Sequence, residues 1–150
     1  MVNVDWNSPD AFELGEGNYR CRVVAVSETR SRNGDLMLVV NFIALDWGHA
    51  KIEDRIMLSG KGVRFGLPRL VALGVPRGMQ SFDEQSLVGA EVYVAMHWRE
   101  YEKSNGAKGR ALNVDTGASP HCGYWPAATP PESVKLPEHP IPEPQADTPF

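Results

Sequence analysis

The sequence has few cysteines and no long apolar run. Only Cys21 and Cys122 occur in 150 residues, which is too few for a disulfide framework. No apolar stretch is long enough to span a membrane, and the first ten residues lack the basic and apolar regions of a signal peptide. We therefore expect a soluble globular protein with free thiols, located in the cytoplasm.

Motifs of catalysis and metal binding are also absent. His121 and Cys122 are adjacent, but the histidines and cysteines do not show the paired spacing of a structural zinc site. Gly60 and Gly62 flank Lys61 without the rest of a phosphate-binding loop, and no nucleophile motif or HExxH sequence is present. We expect a protein that is not an enzyme and that has neither a metal site nor a cofactor.

Charge is unevenly distributed along the chain, although the net charge is only −4. Residues 1–16 contain four acidic residues and no basic one, whereas residues 17–110 contain 14 Lys and Arg against 10 Asp and Glu. Residues 111–150 contain five acidic residues and a single base, Lys135. A basic body between two acidic ends is compatible with binding a polyanion such as nucleic acid.

The C-terminal segment has a composition of its own. Residues 126–150 contain 8 prolines in 25 residues and few apolar side chains. Proline disrupts helices and sheet interiors, and so little apolar surface cannot offset the entropy lost on ordering. We expect one domain over residues 1–125, followed by a disordered acidic tail over residues 126–150 that is partly polyproline-like.

Within the domain, the apolar pattern predicts an all-β protein. Alternating or continuous apolar segments predict five strands, at residues 18–30, 36–46, 51–59, 87–101 and 109–115. Asn33-Gly34 favours a tight turn between the first two strands, with positive φ at both residues. Between the third and fourth strands, Leu67 and Leu70 stand at helical spacing, with Pro68 in the first turn and Gly74 at the end.

The order β-β-β-α-β-β is that of the OB-fold, a five-stranded Greek-key barrel with a short helix between strands 3 and 4. This fold binds oligonucleotides or oligosaccharides across strands 2 and 3, aided by the loops between strands 1 and 2 and between strands 4 and 5. Both of these loops, TRSRNGD and YEKSNGAKGR, are basic here.

Binding of single strands requires cations for the phosphates and flat side chains that stack on unpaired bases. Residues of both types occur in the predicted loops and on the predicted strands. We interpret Trp98 and Phe65 as core residues, because their positions in the pattern are those of buried side chains. The predicted DNA-binding residues are Arg30, Arg32, Arg55, Lys61, Arg64, Tyr93, His97, Arg99, Tyr101, Lys103, Lys108 and Arg110.

The body resembles phage-encoded single-stranded DNA-binding proteins of the small OB-fold type. The resemblance rests on GNYRCRVVAVSETRSRNGDLMLVVNFIALD, on RLVALGVP and on LVGAEVYVAMHWREYEKSNGAKGRALNV, and it covers about residues 15–115. It implies sequence-independent binding of single-stranded DNA during replication or recombination.

The last residues are similar to the acidic tails of bacterial single-stranded DNA-binding proteins, which end in Ile-Pro-Phe. Here the sequence is Asp147-Thr148-Pro149-Phe150, with threonine in place of isoleucine and with dispersed acidic residues. The similarity implies that Asp147, Pro149 and Phe150 recruit replication or recombination proteins, and that the tail competes with DNA for the basic body.

Two other functions remain open on the sequence. The same barrel could be a protein-interaction module that binds no nucleic acid, or it could bind single-stranded RNA, since the contact that separates RNA from DNA is made to the 2′-hydroxyl group. A homo-oligomer is also compatible with the pattern, because an edge strand can pair with a second subunit.

Overall fold

The computed structural model describes residues 1–3 and 14–136. The predicted tail residues Asp147, Pro149 and Phe150 therefore lie outside the described part of the chain. The elements, in order, are β1 (Gly17–Arg30), β2 (Leu36–Ala44), β3 (Ala50–Met57), α1 (Val63–Ala72), a short 3₁₀ helix (Glu84–Leu87), β4 (Glu91–Glu102), β5 (Lys108–Val114) and β6 (Tyr124–Pro126).

The strands form a single antiparallel sheet in the order β3-β2-β1-β4-β5, with β6 paired to β4. The prediction of an all-β protein is confirmed, and the five predicted strands and the helix occur in the predicted order. No sequence pattern indicated β6. Among the described residues, β3 and β5 at the two ends of this order are not hydrogen-bonded to each other, so the sheet is not closed into a continuous barrel.

The long strand β1 belongs to both halves of the sheet. Its first residues, Gly17 to Arg22, pair with β4, and the stretch from Cys21 to Arg30 pairs with β2. A bulge between Val23 and Ala25 shifts the pairing with β2. Because a bulge bends a strand and increases its twist, β1 can follow both β2 and β4 around the core.

The core lies on one face of this sheet. Alternate residues of the strands point to it, and Tyr19, Val40, Phe42, Ile56 and Val94 are fully buried there. The ring of Trp47 packs edge-on against that of Tyr19, with ring centroids 5.7 Å apart. Burial of this apolar face is the main force that holds the sheet in its curved form.

The turn between β1 and β2 differs from the predicted geometry. Gly34 has a φ of 83°, but Asn33 is not among the described residues with positive φ, so the prediction was wrong for Asn33. The Gly34 N–H donates to the Ser31 carbonyl at 2.9 Å, and the Ser31 N–H donates to the Asp35 carbonyl at 2.8 Å. A single glycine in the left-handed region is therefore enough to reverse the chain.

Helix α1 begins at Val63, one turn earlier than predicted, so Pro68 lies inside the helix instead of in its first turn. The predicted end is confirmed, since Gly74 follows the helix with a φ of 105°. Gly66 lies directly against β3, because a Cβ atom there would overlap the Met57 carbonyl oxygen. In the described ranges, no helix has the length and hydropathy needed to cross a membrane.

The chain after β6 packs back onto the sheet. The Asn18 side chain donates to the Ser133 carbonyl at 3.0 Å, and the Lys135 N–H donates to the Asn18 carbonyl at 2.7 Å. The indole N–H of Trp47 donates to the Lys135 carbonyl at 3.0 Å. The part of the predicted tail up to Leu136 is thus hydrogen-bonded to the start of β1 and to the β2–β3 loop.

Candidate nucleic-acid interface

The ends of β4 and β5 project beyond the rest of the sheet. Met96 of β4 pairs with Gly17, the first residue of β1, and the later residues of β4 pair with β5 alone among the described strands. Residues 97–113 therefore form a two-stranded arm, which we call the hairpin arm. Both of its faces are open to solvent near the tip, where residues 98–108 are exposed.

One face of the hairpin arm carries an arginine stacked on a tryptophan. Trp98 is 37% exposed, and the guanidinium carbon of Arg110 lies 4.2 Å from its ring centroid. The Trp98 backbone N–H donates to the Glu16 carboxylate at 3.0 Å, which fixes this position of the strand. A cation held over an exposed indole provides both a positive charge and a flat surface on which a nucleobase can stack.

The opposite face of the arm carries Tyr101, which is 48% exposed. Its ring lies over Gly109, since a Cβ atom on Gly109 would come within 2.8 Å of the Tyr101 Cζ atom. Because glycine has no side chain, the ring can lie flat against the neighbouring strand. By strand alternation, His97 and Arg99 share this face with Tyr101.

The tip of the arm is a defined turn that presents two lysines. The Lys103 N–H donates to the Ala107 carbonyl at 2.8 Å, and the Gly106 N–H donates to the Lys103 carbonyl at 2.9 Å. Gly106 has a φ of 82°, which this tight reversal requires. In the described part of the chain, Lys103, Lys108, Arg99 and Arg110 have no carboxylate within 4.0 Å, and all four are exposed.

A second basic group forms at the other end of β1. The first residue of β2 contacts the segment before α1, where the Ser59 hydroxyl accepts from the Leu36 N–H at 2.8 Å. This contact brings Lys61 and Arg32 to the same end of the sheet, and both are exposed. Arg30, also exposed, donates to the Gly34 carbonyl at 2.9 Å and so stiffens its own loop.

The two basic groups are therefore separated by the length of β1, and they do not form one cluster. Between them lies the outer face of β2 and β3, where Arg55 stands opposite Val39. Arg55 is exposed and lies 3.8 Å from the Glu53 carboxylate, so part of its charge is balanced locally. Arg64, on α1, lies over the ring of Phe65 at 4.7 Å.

Tyr93 lies outside both basic groups. It is half-buried in the part of β4 that is flanked on both sides, by Arg20 of β1 and by Trp125 of β6. Arg20 is committed to ion pairs with Asp46 at 3.5 Å and Glu91 at 4.0 Å. The structure therefore does not bring Tyr93 into the hairpin arm.

The interpretation of Trp98 and Phe65 as core residues was wrong. Trp98 continues the inward alternation of Val94 and Met96. However, the pairing of β4 with β1 ends at Met96, so Trp98 lies beyond the part of β4 that borders the core. Phe65 is 39% exposed on the outer side of α1. The charged residues that follow Trp98 in the sequence, from Arg99 onwards, were the signal that the strand had left the core.

A buried polar cluster joins β3, α1 and β6 through the side chains of Asp54, Arg69 and Tyr124. Arg69 Nη1 donates to Asp54 Oδ2 at 2.9 Å, and the two side chains are only 7% and 13% exposed. Arg69 Nε also donates to the Cys122 carbonyl at 2.9 Å, and the Tyr124 hydroxyl donates to Asp54 Oδ2. Because Asp54 is paired and hydrogen-bonded within this cluster, its role is to hold the fold together.

Burial of the Tyr124 ring raises the pKa of its hydroxyl well above the usual value, and the neighbouring Asp54 carboxylate raises it further. The hydroxyl therefore remains protonated and remains a donor throughout the neutral range. Its ring packs edge-on against Phe42 with centroids 5.6 Å apart. The cluster is thus inserted directly into the apolar core.

Over residues 1–3 and 14–136, no three His, Cys, Asp or Glu side chains come together in a group that could hold a metal ion. The chain matches no protein-family model, and no curated protein has a significantly similar sequence. The hairpin arm, with its two exposed aromatic rings and with cations that pair with no carboxylate in the described ranges, is the candidate functional site.

Proposed function

We propose that this chain is a sequence-independent single-stranded DNA-binding protein with an OB-type fold, and that it is not an enzyme. The observation that carries the proposal is the hairpin arm. It presents Trp98 with Arg110 on one face and Tyr101 on the other, and its lysines pair with no carboxylate of residues 1–3 and 14–136. Stacking surfaces next to free cations are what binding to an unpaired strand requires.

The architecture supports the OB-type assignment. A meander of three strands, a helix and two further strands, with a long bulged β1 shared between both halves of the sheet, follows the order of that fold. OB-folds are partly open barrels, so an unpaired gap between β3 and β5 is compatible with the assignment. Their usual binding surface is the outer face of strands 2 and 3, which here lies between the two basic groups.

In the proposed mechanism, bases stack on Trp98 and Tyr101 while Arg99, Lys103, Lys108 and Arg110 neutralise phosphates. The strand then passes over the outer face of β2 and β3, beside Arg55, towards Arg32 and Lys61. A single OB-fold covers roughly 4–16 nucleotides. None of these contacts reads a base edge, so little sequence preference is expected.

The wider role is proposed from the resemblance to phage proteins. The protein would act in DNA replication or recombination in the cytoplasm of an infected cell. Residues Asp147, Pro149 and Phe150 would recruit partner proteins of the same process.

Fluorescence anisotropy of a labelled dT oligonucleotide, measured over a salt series, tests the proposal. We expect log affinity to fall with log salt at a slope of about −0.7 for each phosphate neutralised. A chain of residues 1–136 keeps the segment bound to Asn18 and Trp47, and tighter DNA binding by this chain would show that residues 137–150 compete with DNA.

Competition by oligo-U separates the two nucleic acids. Stronger competition by oligo-U than by oligo-dT would assign the site to RNA. If neither the full chain nor residues 1–136 bound an oligonucleotide while both remained folded, the DNA-binding proposal would be wrong. A protein-interaction module would then replace it.

A further inference from the structure

A second surface of the molecule, away from the hairpin arm, is concave and mainly apolar. A groove of about 440 Å³ lies between α1 and the loop that follows it. Its lining is mainly apolar and includes Leu58, Leu67, Val71, Val75, Met79 and Phe82. This size and lining match those of ligand sites, which span roughly 300–1,000 Å³ and hold few polar groups. We call this surface the α1 groove.

Large apolar side chains stand exposed at its rim. Leu67 is 52% exposed and Met79 is 51% exposed, although the neighbouring Leu70 on the same helix is buried in the core. Exposed apolar side chains grouped around a concave surface mark an interaction site more often than single ones do. The α1 groove is therefore a surface that gains stability when it is covered.

Two arginines line the α1 groove, Arg64 from the helix and Arg77 from the loop. Both are exposed, and in the described ranges neither has a carboxylate within 4.0 Å. Guanidinium groups form strong, directional hydrogen bonds with carboxylates. The fitting occupant thus combines apolar side chains with acidic ones.

The chain itself contains a segment of this composition. Residues 137–150 carry Ile141 and Phe150 as large apolar side chains, and they contain Glu138, Glu143 and Asp147 but no lysine or arginine. Four prolines between residues 137 and 144 restrict the backbone, which reduces the entropy lost on binding. Charge and apolar content both complement the α1 groove.

The segment is long enough to reach the groove from its point of attachment. Lys135 is hydrogen-bonded to Asn18 and Trp47, so the free length begins after Leu136. The fourteen residues that follow can extend to about 46–50 Å, at 3.3–3.6 Å each. A domain of this size has a radius of gyration of roughly 13–14 Å, so the segment can reach its far side.

We propose that residues 137–150 dock into the α1 groove of the same chain. Phe150 or Ile141 enters the apolar floor, and the carboxylates of the segment pair with Arg64 and Arg77. Attachment within one chain raises the local concentration of a short segment to the millimolar range, which favours this arrangement over docking between molecules. The docked segment is hidden from other proteins until a partner displaces it. This inference does not depend on DNA binding.

A spin label near the end of the segment tests the proposal in the full chain. Cys122 is changed to Ser, and a nitroxide is attached to Thr148→Cys. Cys21 does not compete for the label, because it is buried and burial raises the pKa of its thiol to about 12. Amide NMR peaks of residues 67–82 are then compared between the oxidised and the reduced label.

We expect selective loss of peak intensity around Leu67, Val71 and Met79 in the oxidised state. A second change, Phe150→Ser with Ile141→Ser, should restore these peaks, and so should Leu67→Gln in the groove. The matched control is Val24→Gln, which removes an apolar side chain that is 45% exposed on β1 and should leave the loss unchanged.

Three outcomes would overturn the proposal. Uniform weak broadening over the whole surface would mean that the segment has no preferred site. Broadening centred on the hairpin arm would mean that the acidic residues alone decide where the segment lies. Broadening seen only when labelled and unlabelled molecules are mixed would place the segment in the groove of a second copy.

Discussion

The molecule uses the same pairing of arginine with an aromatic ring in two very different places. Arg69 lies 5.3 Å from the ring centroid of Tyr124, with its side chain only 7% exposed. Arg110 lies 4.2 Å from the ring centroid of Trp98, on an exposed arm. The chemical groups are alike, but the buried arginine is also paired with Asp54 while the exposed one has no described carboxylate partner within 4.0 Å.

This difference shows how burial decides what such a pair can do. A buried arginine has to be fully satisfied within the protein, because an unpaired charge in the core costs several kcal/mol. It is therefore unable to bind a ligand. An exposed arginine keeps its solvation, so a phosphate can replace water at little cost. We expect the first pair to act on stability and the second on binding.

Arg69→Met should give the largest effect, since it leaves the buried Asp54 carboxylate without its cation. A loss of about 3–5 kcal/mol in the free energy of unfolding is expected, measured by urea denaturation. The double variant Arg69→Met with Asp54→Leu removes both charges and should be more stable than Arg69→Met alone. If the double variant were the less stable of the two, the loss would come from packing and not from the unpaired charge.

Trp98→Ala should weaken binding of a dT oligonucleotide by about 1–3 kcal/mol, with a change in unfolding free energy within about 0.5 kcal/mol. The control is Phe65→Ala, which removes the other exposed ring that lies next to an arginine. Phe65 lies on α1, away from the arm, and its loss should leave affinity unchanged. An equal loss of DNA affinity in both variants would mean that the hairpin arm is not the preferred binding surface.

Stability should fall as the pH rises into the alkaline range, and the Tyr124 hydroxyl in the buried pair is one cause. The pKa of Tyr124 is raised in the folded state, so above pH 10 the unfolded chain releases this proton while the folded chain retains it. Each such group lowers the free energy of unfolding by up to about 1.4 kcal/mol per pH unit in that range. Cys21, whose thiol pKa is raised to about 12 by burial, acts in the same direction from about pH 9.

Tyr124→Phe provides the comparison for this pH dependence. It removes the titrating hydroxyl and the hydrogen bond to Asp54, so the variant is less stable at pH 7 but loses less stability between pH 10 and 11. Urea denaturation at a series of pH values measures both quantities. An unchanged pH slope in Tyr124→Phe would show that other groups carry the alkaline loss.

Arg110→Gln is expected to give the smallest effect. The slope of log affinity against log salt should become shallower by about 0.7, which corresponds to one phosphate contact. Arg20→Gln serves as the control, because Arg20 is paired with Asp46 and Glu91 and should not contact DNA. A slope that changes equally in both variants would indicate a general effect of charge.

The strands and their order could be predicted from the sequence because each strand from β1 to β5 coincides with a segment that either alternates between apolar and polar residues or, as in β2, is continuously apolar. The start of α1 could not be predicted in the same way. Pro68 is typical of a first helical turn, but the helix begins at Val63, and Gly66 in its first turns lies against Met57 of β3, a contact between distant residues that the local pattern does not report.

The candidate site was predicted only in part, again because some of its features depend on contacts between distant segments. Lys103, Lys108 and Arg110 were expected from the basic loop between β4 and β5, and the structure places them on an exposed arm. Trp98 is exposed because the pairing between β1 and β4 ends before it. The end of that pairing is a tertiary feature, and the alternation of apolar residues along β4 does not indicate it. Similarly, the partnership of Asp54 with Arg69 and Tyr124 joins residues that are far apart in the sequence.

The position of β1 between β2 and β4 also has a consequence for the order of folding. Strands β1 to β3 are neighbours in sequence and can form a meander as soon as they are synthesised, whereas β1 meets β4 only after the helix and its loop have been made. Contacts between distant segments form slowly, because a long loop has to close before they are gained. Until then, one edge of β1 is an unpaired template for other strands. The nascent chain is therefore most prone to aggregate in the interval before β4 arrives.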